Sequence, residues 1–345
     1  MNKKLLAIIL SLSLVLLGAL GCSSSSGEGS DNENTDSSSP GKKTYVNIST
    51  ATTAGIYYAL GNAIANMWNE KVDGLQASVQ STAGSTQNVE LLTRNESQVA
   101  FLQNGVAGDA WNGKNVFEGN PKNDFYGMAY LYPNYCYFVV PVNSGINELA
   151  DLKGKNIIPG PVGSGTELNA REILSIVGID YQNNKDAKAN YVSNSEAAEK
   201  FTDRQTDMAF IAGGIPHASV TEMTTRVEAK ILPVDGDVRE KLIEKYPAYI
   251  PVEVPANSYK GQSEPVQTVA VGNILVAHKD LSEDMVYKML ESIYANKDAL
   301  ANSYKGAADF KIEEGLNGMT LPLHPGAVKF FEDNGVTVPD NLKLQ

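Results

Sequence analysis

The chain has 345 residues, with 40 acidic against 28 basic side chains and a formal net charge of −12. No Lys/Arg cluster offers a phosphate footprint, which excludes nucleic acid as a partner, and the acidity reads as a solubility device. Cysteine is confined to Cys22 and Cys136, so no intramolecular disulfide is expected and Cys136 reads as a buried structural thiol.

The first residues read as an export signal. Lys3 and Lys4 form a charged start, residues 5–20 are apolar or small, and Gly21-Cys22 closes the run. The stretch is short for a membrane span of ~20 residues. Small residues leading to a lone cysteine are similar to a bacterial lipoprotein signal, in which Cys22 is lipidated and becomes the mature N-terminus. Ala19 stands where the common pattern has Leu. The alternatives are an ordinary secretory signal or a membrane anchor. Residues 23–43, SSSSGEGSDNENTDSSSPGKK, contain nothing aromatic or aliphatic, so they read as a flexible tether. The folded part is expected from residue 44 onward. Its length, roughly 300 residues, exceeds what one hydrophobic core usually serves and points to two lobes.

Along this part, strands are expected near residues 46–50, 77–80, 99–102, 135–140, 155–158, 190–193, 208–211, 230–234 and 268–277, with helices between most of them. In the first helix Ile56, Leu60, Ile64 and Met67 stand at helical spacing and predict an apolar face against a sheet. Alternating strands and helices predict an α/β fold with mainly parallel sheets and a ligand crevice beyond the strand carboxyl ends.

One arrangement recurs three times: an apolar, strand-like run, a Gly/Ser/Thr-rich turn, then an amphipathic helix. It is found in VNISTATTAGIYYALGNAIANMW, SVQSTAGSTQNVELL and IIPGPVGSGTELNAREIL. Each copy would present backbone N–H groups and small hydroxyls at the positive end of a helix, where an anion is held. The third turn is not a nucleotide loop. A P-loop would need Lys at Thr166 and Ser or Thr at Glu167, and a dinucleotide fingerprint would need Gly at Leu168. Ser164 with Glu167 matches a capping box, so the turn reads either as a well-capped helix start or as a carboxylate site built on the amides near Gly165 and Thr166. Glu167 would oppose a multiply charged phosphate.

Catalytic signals are thin. His217, His278 and His324 are far apart, with no HxxxH, HExxH or CxxC spacing and no GxSxG elbow. No metal, no cofactor and no enzymatic activity are therefore expected. His217 reads as a loop residue beside the cleft, and Pro322, His324 and Pro325 as a rigid turn before the last helix.

Six phrases in order, STATTAGIYYALGNAIANMWNE, VQSTAGSTQNVELL, GPVGSGTELNAREIL, DMAFIAGGIPHASV, YPAYIPVEVP and PLHPGAVKFFEDNG, closely resemble the TAXI family of solute-binding proteins of TRAP transporters. The resemblance runs from about Tyr45 to Gly335. It implies a two-lobed periplasmic-binding-protein-like fold with two crossing hinge segments. It also implies capture of a small carboxylate such as glutamate, glutamine or 2-oxoglutarate, and delivery to a TRAP permease driven by an ion gradient. Lobe one is expected over residues 44–136 plus 260–345 and lobe two over 137–259, with crossings near 134–140 and 258–268.

For the pocket, the first turn offers Thr52, Thr53, Gly55, Tyr57 and Tyr58, one of the two tyrosines being expected in the core. The second offers Ser81, Thr82, Gly84 and Ser85, with Asn88 behind it. The third offers Gly163, Ser164, Gly165 and Thr166. Gln103, Tyr132, Gly213 and Gly214 are expected at further strand ends. Arg171 is the nearest candidate counter-ion, although its spacing from Glu167 equally suits a helical ion pair. The expected protein is thus an extracytoplasmic receptor, lipid-anchored to the bacterial cell membrane. The alternatives are a ligand-sensing subunit of a membrane signalling system and, from another class, a secreted hydrolase.

Overall fold

The computed structural model describes residues 43–344; the export signal, Cys22 and the tether up to residue 42 lie outside the described residues. In chain order the elements are β1 (Thr44–Ser49), α1 (Ile56–Lys71), β2 (Leu75–Gln80), α2 (Ser85–Thr93), β3 (Val99–Gln103), α3 (Asn104–Asn112), β4 (Phe125–Pro141), β5 (Asn156–Ile158), α4 (Gly165–Ile176), β6 (Lys188–Ala189), α5 (Asn194–Thr202), β7 (Met208–Gly213), α6 (Ala218–Arg226), β8 (Ala229–Leu232), α7 (Gly236–Lys245), β9 (Tyr249–Val254), β10 (Val266–His278), α8 (Glu283–Ala295), α9 (Lys297–Leu300) and α10 (Pro325–Asp333).

The strands follow the order β2-β1-β3-β10-β4-β7-β5-β6, with β8 added to β4 and β9 to β10. Two long strands carry the sheet from one half of the molecule to the other. The front of β4 pairs with the end of β10, Phe125 opposite His278, while its rear, from Tyr135 onward, pairs with β7 and β8. The front of β10, Val266 to Val271, pairs with β9, and its end pairs with β3. Buried side chains sort the same way. Two core clusters draw on residues 46–132 and 274–342, with Leu168 the single contribution from elsewhere, and two draw on residues 136–271. Residues 266–271, expected in lobe one, pack with the second half because β9 claims their backbone hydrogen bonds.

Pairing also corrects the expectation of mainly parallel sheets. β1 runs parallel to β2 and β3, and β5 to β6 and β7, but every pairing of β4 and β10 is antiparallel. The strand expected at 190–193 is displaced to the two residues of β6, and β9 and the front half of β4 were not expected at all. In α1, Leu60, Ile64 and Met67 are buried as the spacing predicts, whereas Ile56 is only half-buried. Cys136 is fully buried, and burial pushes its thiol well above the usual range. His324 caps α10 by accepting from the Gly326 amide at 3.2 Å, with Pro325 as the first helical residue.

Candidate functional site

The parallel strands end toward one small cavity of about 50 Å3 between the two halves. Ala51 follows β1, Ala83 follows β2, Gln103 ends β3, Pro161 follows β5, and Ala212 and Gly213 end β7; all line it. A helix begins after each of these strands, so the cavity is ringed by helix starts. Gly55, Ile56 and Tyr57 open α1, Gly84 and Ser85 open α2, and Gln103 precedes α3. Ser164, Gly165 and Thr166 open α4, Asn194 opens α5, and His217 precedes α6. Six positive helix ends thus face one space. On the first half, none of α1, α2 or α3 has a side-chain cap. On the second, Ser164, Ser193 and His217 cap α4, α5 and α6. On α2 the Gln87 amide instead goes to Gly163 O, and on α3 the Gly105 amide to Asn104 Oδ1.

Among the described residues, no Asp, Glu, Lys or Arg lines the cavity. His217 is the one imidazole, and burial lowers it to about 4, so it is neutral near pH 7. Its Nδ1 accepts from the Ser219 amide at 3.2 Å, which leaves the proton on Nε2 as a donor. Two buried groups of the lining have no partner, Gln103 Oε1 and the Tyr132 hydroxyl. Burial raises Tyr132 far above the usual phenol range, so the hydroxyl keeps its proton and can donate. An unpartnered buried polar group costs about 1 to 3 kcal/mol, which a bound solute could recover.

The turns hold their shape through their own hydrogen bonds. Thr82 donates its hydroxyl toward Thr50 O and Asn88 Oδ1 and receives the Gly84 amide at 3.1 Å, while Asn88 reaches Thr50 O and Phe101 O from behind. Ser85 accepts from the Gln103 amide at 3.0 Å, tying α2 to β3. Tyr57 stacks on Phe101 with centroids 5.0 Å apart and donates its hydroxyl to Asn273 Oδ1, whose amide reaches Tyr132 O at 2.9 Å. Tyr132 in turn packs on Tyr304.

The halves meet at the cavity mouth. The Gln87 amide donates to Gly163 O at 3.1 Å. A Cβ on Gly165 would stand 2.4 Å from Gln103 Oε1, so any larger residue there must push the end of that side chain aside. A Cβ on Gly213 would stand 2.2 Å from His217 Cδ2, because the Cδ2 edge of the ring abuts that backbone.

Among the residues expected in the pocket, Thr52, Gly55, Tyr57, Gly84, Ser85, Gln103, Tyr132, Ser164, Gly165, Thr166 and Gly213 share this lining. The other six stand outside it. Thr53 is exposed, and Tyr58 is half-buried on the other side of α1. Ser81 is exposed and donates to Ala51 O, and Thr82 is spent within its turn. Gly163 belongs to the mouth, and Gly214 O accepts from Tyr137 at 3.2 Å. Arg171 is also absent from the lining: its guanidinium pairs with Glu167, which is 3% exposed at its side chain. The capping box is half formed. Ser164 Oγ accepts from the Glu167 amide at 3.0 Å, but the Glu167 carboxylate turns to Arg171 and to the Tyr181 hydroxyl. Asn134, Asn194 and His217 complete the wall. Asn194 follows a Ser-x-x-Glu capping signal, Ser193 to Glu196, that could have revealed another helix start; Asn134 carried no signal.

Residues 48–335 match the NMT1-like family. Among solved structures, PhnD1 from Prochlorococcus marinus in complex with methylphosphonate is 12% identical, covers 76% of this chain and 89% of its own, and has a TM-score of 0.53. A protein from Bordetella bronchiseptica RB50 is 16% identical over 86% of each chain, with a TM-score of 0.51. The alkanesulfonate-binding protein SsuA from Xanthomonas axonopodis is 16% identical over 84% of each chain, with a TM-score of 0.47. The fold is that of the two-lobed periplasmic binding proteins.

Proposed function

The chain belongs to the NMT1-like family, and on that premise we propose that it is an extracytoplasmic solute-binding receptor. It takes a small carboxylate between its lobes and passes it to a membrane transporter. The observation that carries this reading is the cavity itself: six helix starts, two unpartnered buried polar groups and no charged side chain in one lining. Helix ends and neutral donors suit an anion of low charge. Gln103 Oε1 adds one acceptor, so the solute also offers a hydrogen. A phosphonate, the ligand named for PhnD1, would bring up to two charges into a wall without a cationic side chain, which favours a carboxylate here. The lobes are taken as residues 44–132 plus 274–344 and residues 136–271, hinged where β4 and β10 cross. TAXI-type delivery to a TRAP permease, and attachment to the membrane through Cys22, are the finer parts of the same proposal.

The test is a thermal-shift panel of glutamate, glutamine, 2-oxoglutarate, other carboxylates, methylphosphonate and an alkanesulfonate. A ligand at one hundred times its Kd should add about 2.7 kcal/mol, a few degrees in Tm. A shift confined to carboxylates is expected. A shift confined to phosphonate or sulfonate would overturn the carboxylate reading, and turnover of any of them would overturn the receptor.

A further inference from the structure

A second space opens between the same lobes, a crevice of about 610 Å3 walled by α3 on one side and by α4, the end of α7 and the start of β9 on the other. Gln103 lines both it and the cavity. Asp109 on α3 and Glu172 on α4 contribute carboxyls from opposite lobes. Tyr249 donates its hydroxyl to Glu172 Oε2 at 2.5 Å, and the Asn169 amide, one turn earlier on α4, donates to the same phenol oxygen at 2.9 Å. A phenol has one proton, so with Glu172 ionised it cannot also serve Asn169 Oδ1. That oxygen, in a residue 3% exposed, has no partner.

The charges around Glu172 come from every neighbouring element. Arg171 beside it is held by Glu167. Lys245, at the end of α7, lies 5.0 Å over the Tyr246 ring. Asp109, which accepts from Asn115 Nδ2 at 2.7 Å, faces it with Lys114 and Glu118 from the α3 side. Behind it, Asp180 pairs with Lys185, and Asp186 with Lys153. Burial pushes the Glu172 carboxyl up to about 7; Asp109 acts in the same direction, and Tyr249, Arg171 and Lys245 oppose it. Burial raises Asp109 as well. No group of three or more metal-ligating side chains stands here or elsewhere among the described residues. With Lys114 and Lys245 on the same walls, an exchangeable proton is the natural partner of these acids.

We infer that the crevice couples closure of the two lobes to proton uptake, with Glu172 as the group that takes the proton. Parting the lobes carries Asp109 away from Glu172 and widens a crevice that already has room for water, which returns both carboxyls toward ordinary values, so the closed form binds the proton more tightly. By linkage, closure strengthens as pH falls from about 7 toward the ordinary glutamate value of 4.5, and levels off at its weakest above 7. Once protonated, Glu172 can donate to Tyr249. The phenol proton is then free to turn to Asn169 after its amide rotates, so the donor chain reverses and the orphaned oxygen is satisfied.

The inference rests on the reading of a cleft that opens and closes, and its test needs no solute. The Gln87 amide, which reaches Gly163 O across the mouth, reports closure by hydrogen exchange. Its protection factor, corrected for intrinsic rate, is expected to be about tenfold higher at pH 6 than at pH 8 in the whole chain, because pH 6 lies about one unit below the closed-state midpoint and each such unit is a factor of ten. Glu172→Gln, which keeps an acceptor for Tyr249, should flatten that profile. Carbon NMR of the wild-type Glu172 carboxyl should show a midpoint near 7. Protection independent of pH, a wild-type slope in Glu172→Gln, or an ordinary carboxyl midpoint would each overturn the coupling. A silent solute panel with a sloping profile would sink the receptor proposal and leave the coupling standing; a solute bound above a flat profile would do the reverse.

Discussion

The small cavity and the larger crevice beside it are walled by the same two lobes and share Gln103. In the cavity, helices arrive end-on and the lining has no charged side chain. In the crevice, α3 and α4 lie along their flanks and present Asp109 and Glu172, with Lys114 in the turn after α3. A helix exposes unpaired backbone groups only at its ends, whereas its flank shows side chains alone. The cavity can thus favour an anion through backbone geometry that no titration alters, while the crevice, on the coupling inferred above, answers to pH.

The largest effect is expected where the cavity wall is tightest. Gly213→Ala drives a Cβ to 2.2 Å from the His217 ring. With both buried it should cost about 1 to 3 kcal/mol in urea unfolding and abolish solute binding. Gly165→Ala meets only the end of the Gln103 side chain. It should leave the denaturation midpoint nearly unchanged while calorimetry shows binding at least tenfold weaker. Equal stability loss in the two variants would break the picture of one rigid and one yielding contact.

The two regions should also respond to acid in opposite senses. His217 is held below its ordinary 6.5, at about 4, so the unfolded chain gains its proton first and stability is lost as pH falls through that window, by about 3 kcal/mol at most. Glu172 is held above its ordinary 4.5, at about 7, so its contribution to stability grows as pH falls from 7 to 4.5. His217→Asn should flatten the acid limb of a stability profile and Glu172→Gln should steepen it. The same change in both would refute the opposed signs.

Smaller effects separate binding from support. Thr166→Ala removes a hydroxyl from the cavity and should weaken carboxylate binding by about 1 to 3 kcal/mol in calorimetry. Arg171→Ala should leave that affinity unchanged and cost about 1 to 2 kcal/mol of stability. It strands Glu167, which still receives the Tyr181 hydroxyl at 2.9 Å, and the half-open position of Arg171 keeps the loss below that of a fully buried pair. A binding loss in Arg171→Ala would move the anion toward α4's flank.

Much of this architecture was legible because it is local. Gly/Ser/Thr turns between an apolar run and an amphipathic helix mark helix starts at Gly55, Gly84 and Ser164, and the structure sets all three at one cavity. Capping chemistry named Ser164, but not that the Glu167 carboxylate would leave the box for Arg171, since that choice depends on Tyr181, fourteen residues away. Within a turn the sequence could not separate lining from scaffold. Ser81 and Thr82 look as suitable as Ser85, yet Thr82 is spent on Asn88 and Thr50 O. The front of β4 was missed because an antiparallel strand crossing both lobes keeps no simple alternation once buried on both faces.

Alone, the sequence determined which segments begin helices, which faces are apolar and that the chain carries no metal spacing, because hydrogen-bond capping and periodicity act over a few residues. Only the tertiary structure decided that six helix ends share one cavity, that Gln103 and Tyr132 keep unpartnered groups there, and that Asp109 and Glu172 face one crevice from opposite lobes. Those pairings join residues far apart in the chain, and burial, which sets the charge state of His217 and Glu172, exists only once the lobes have packed.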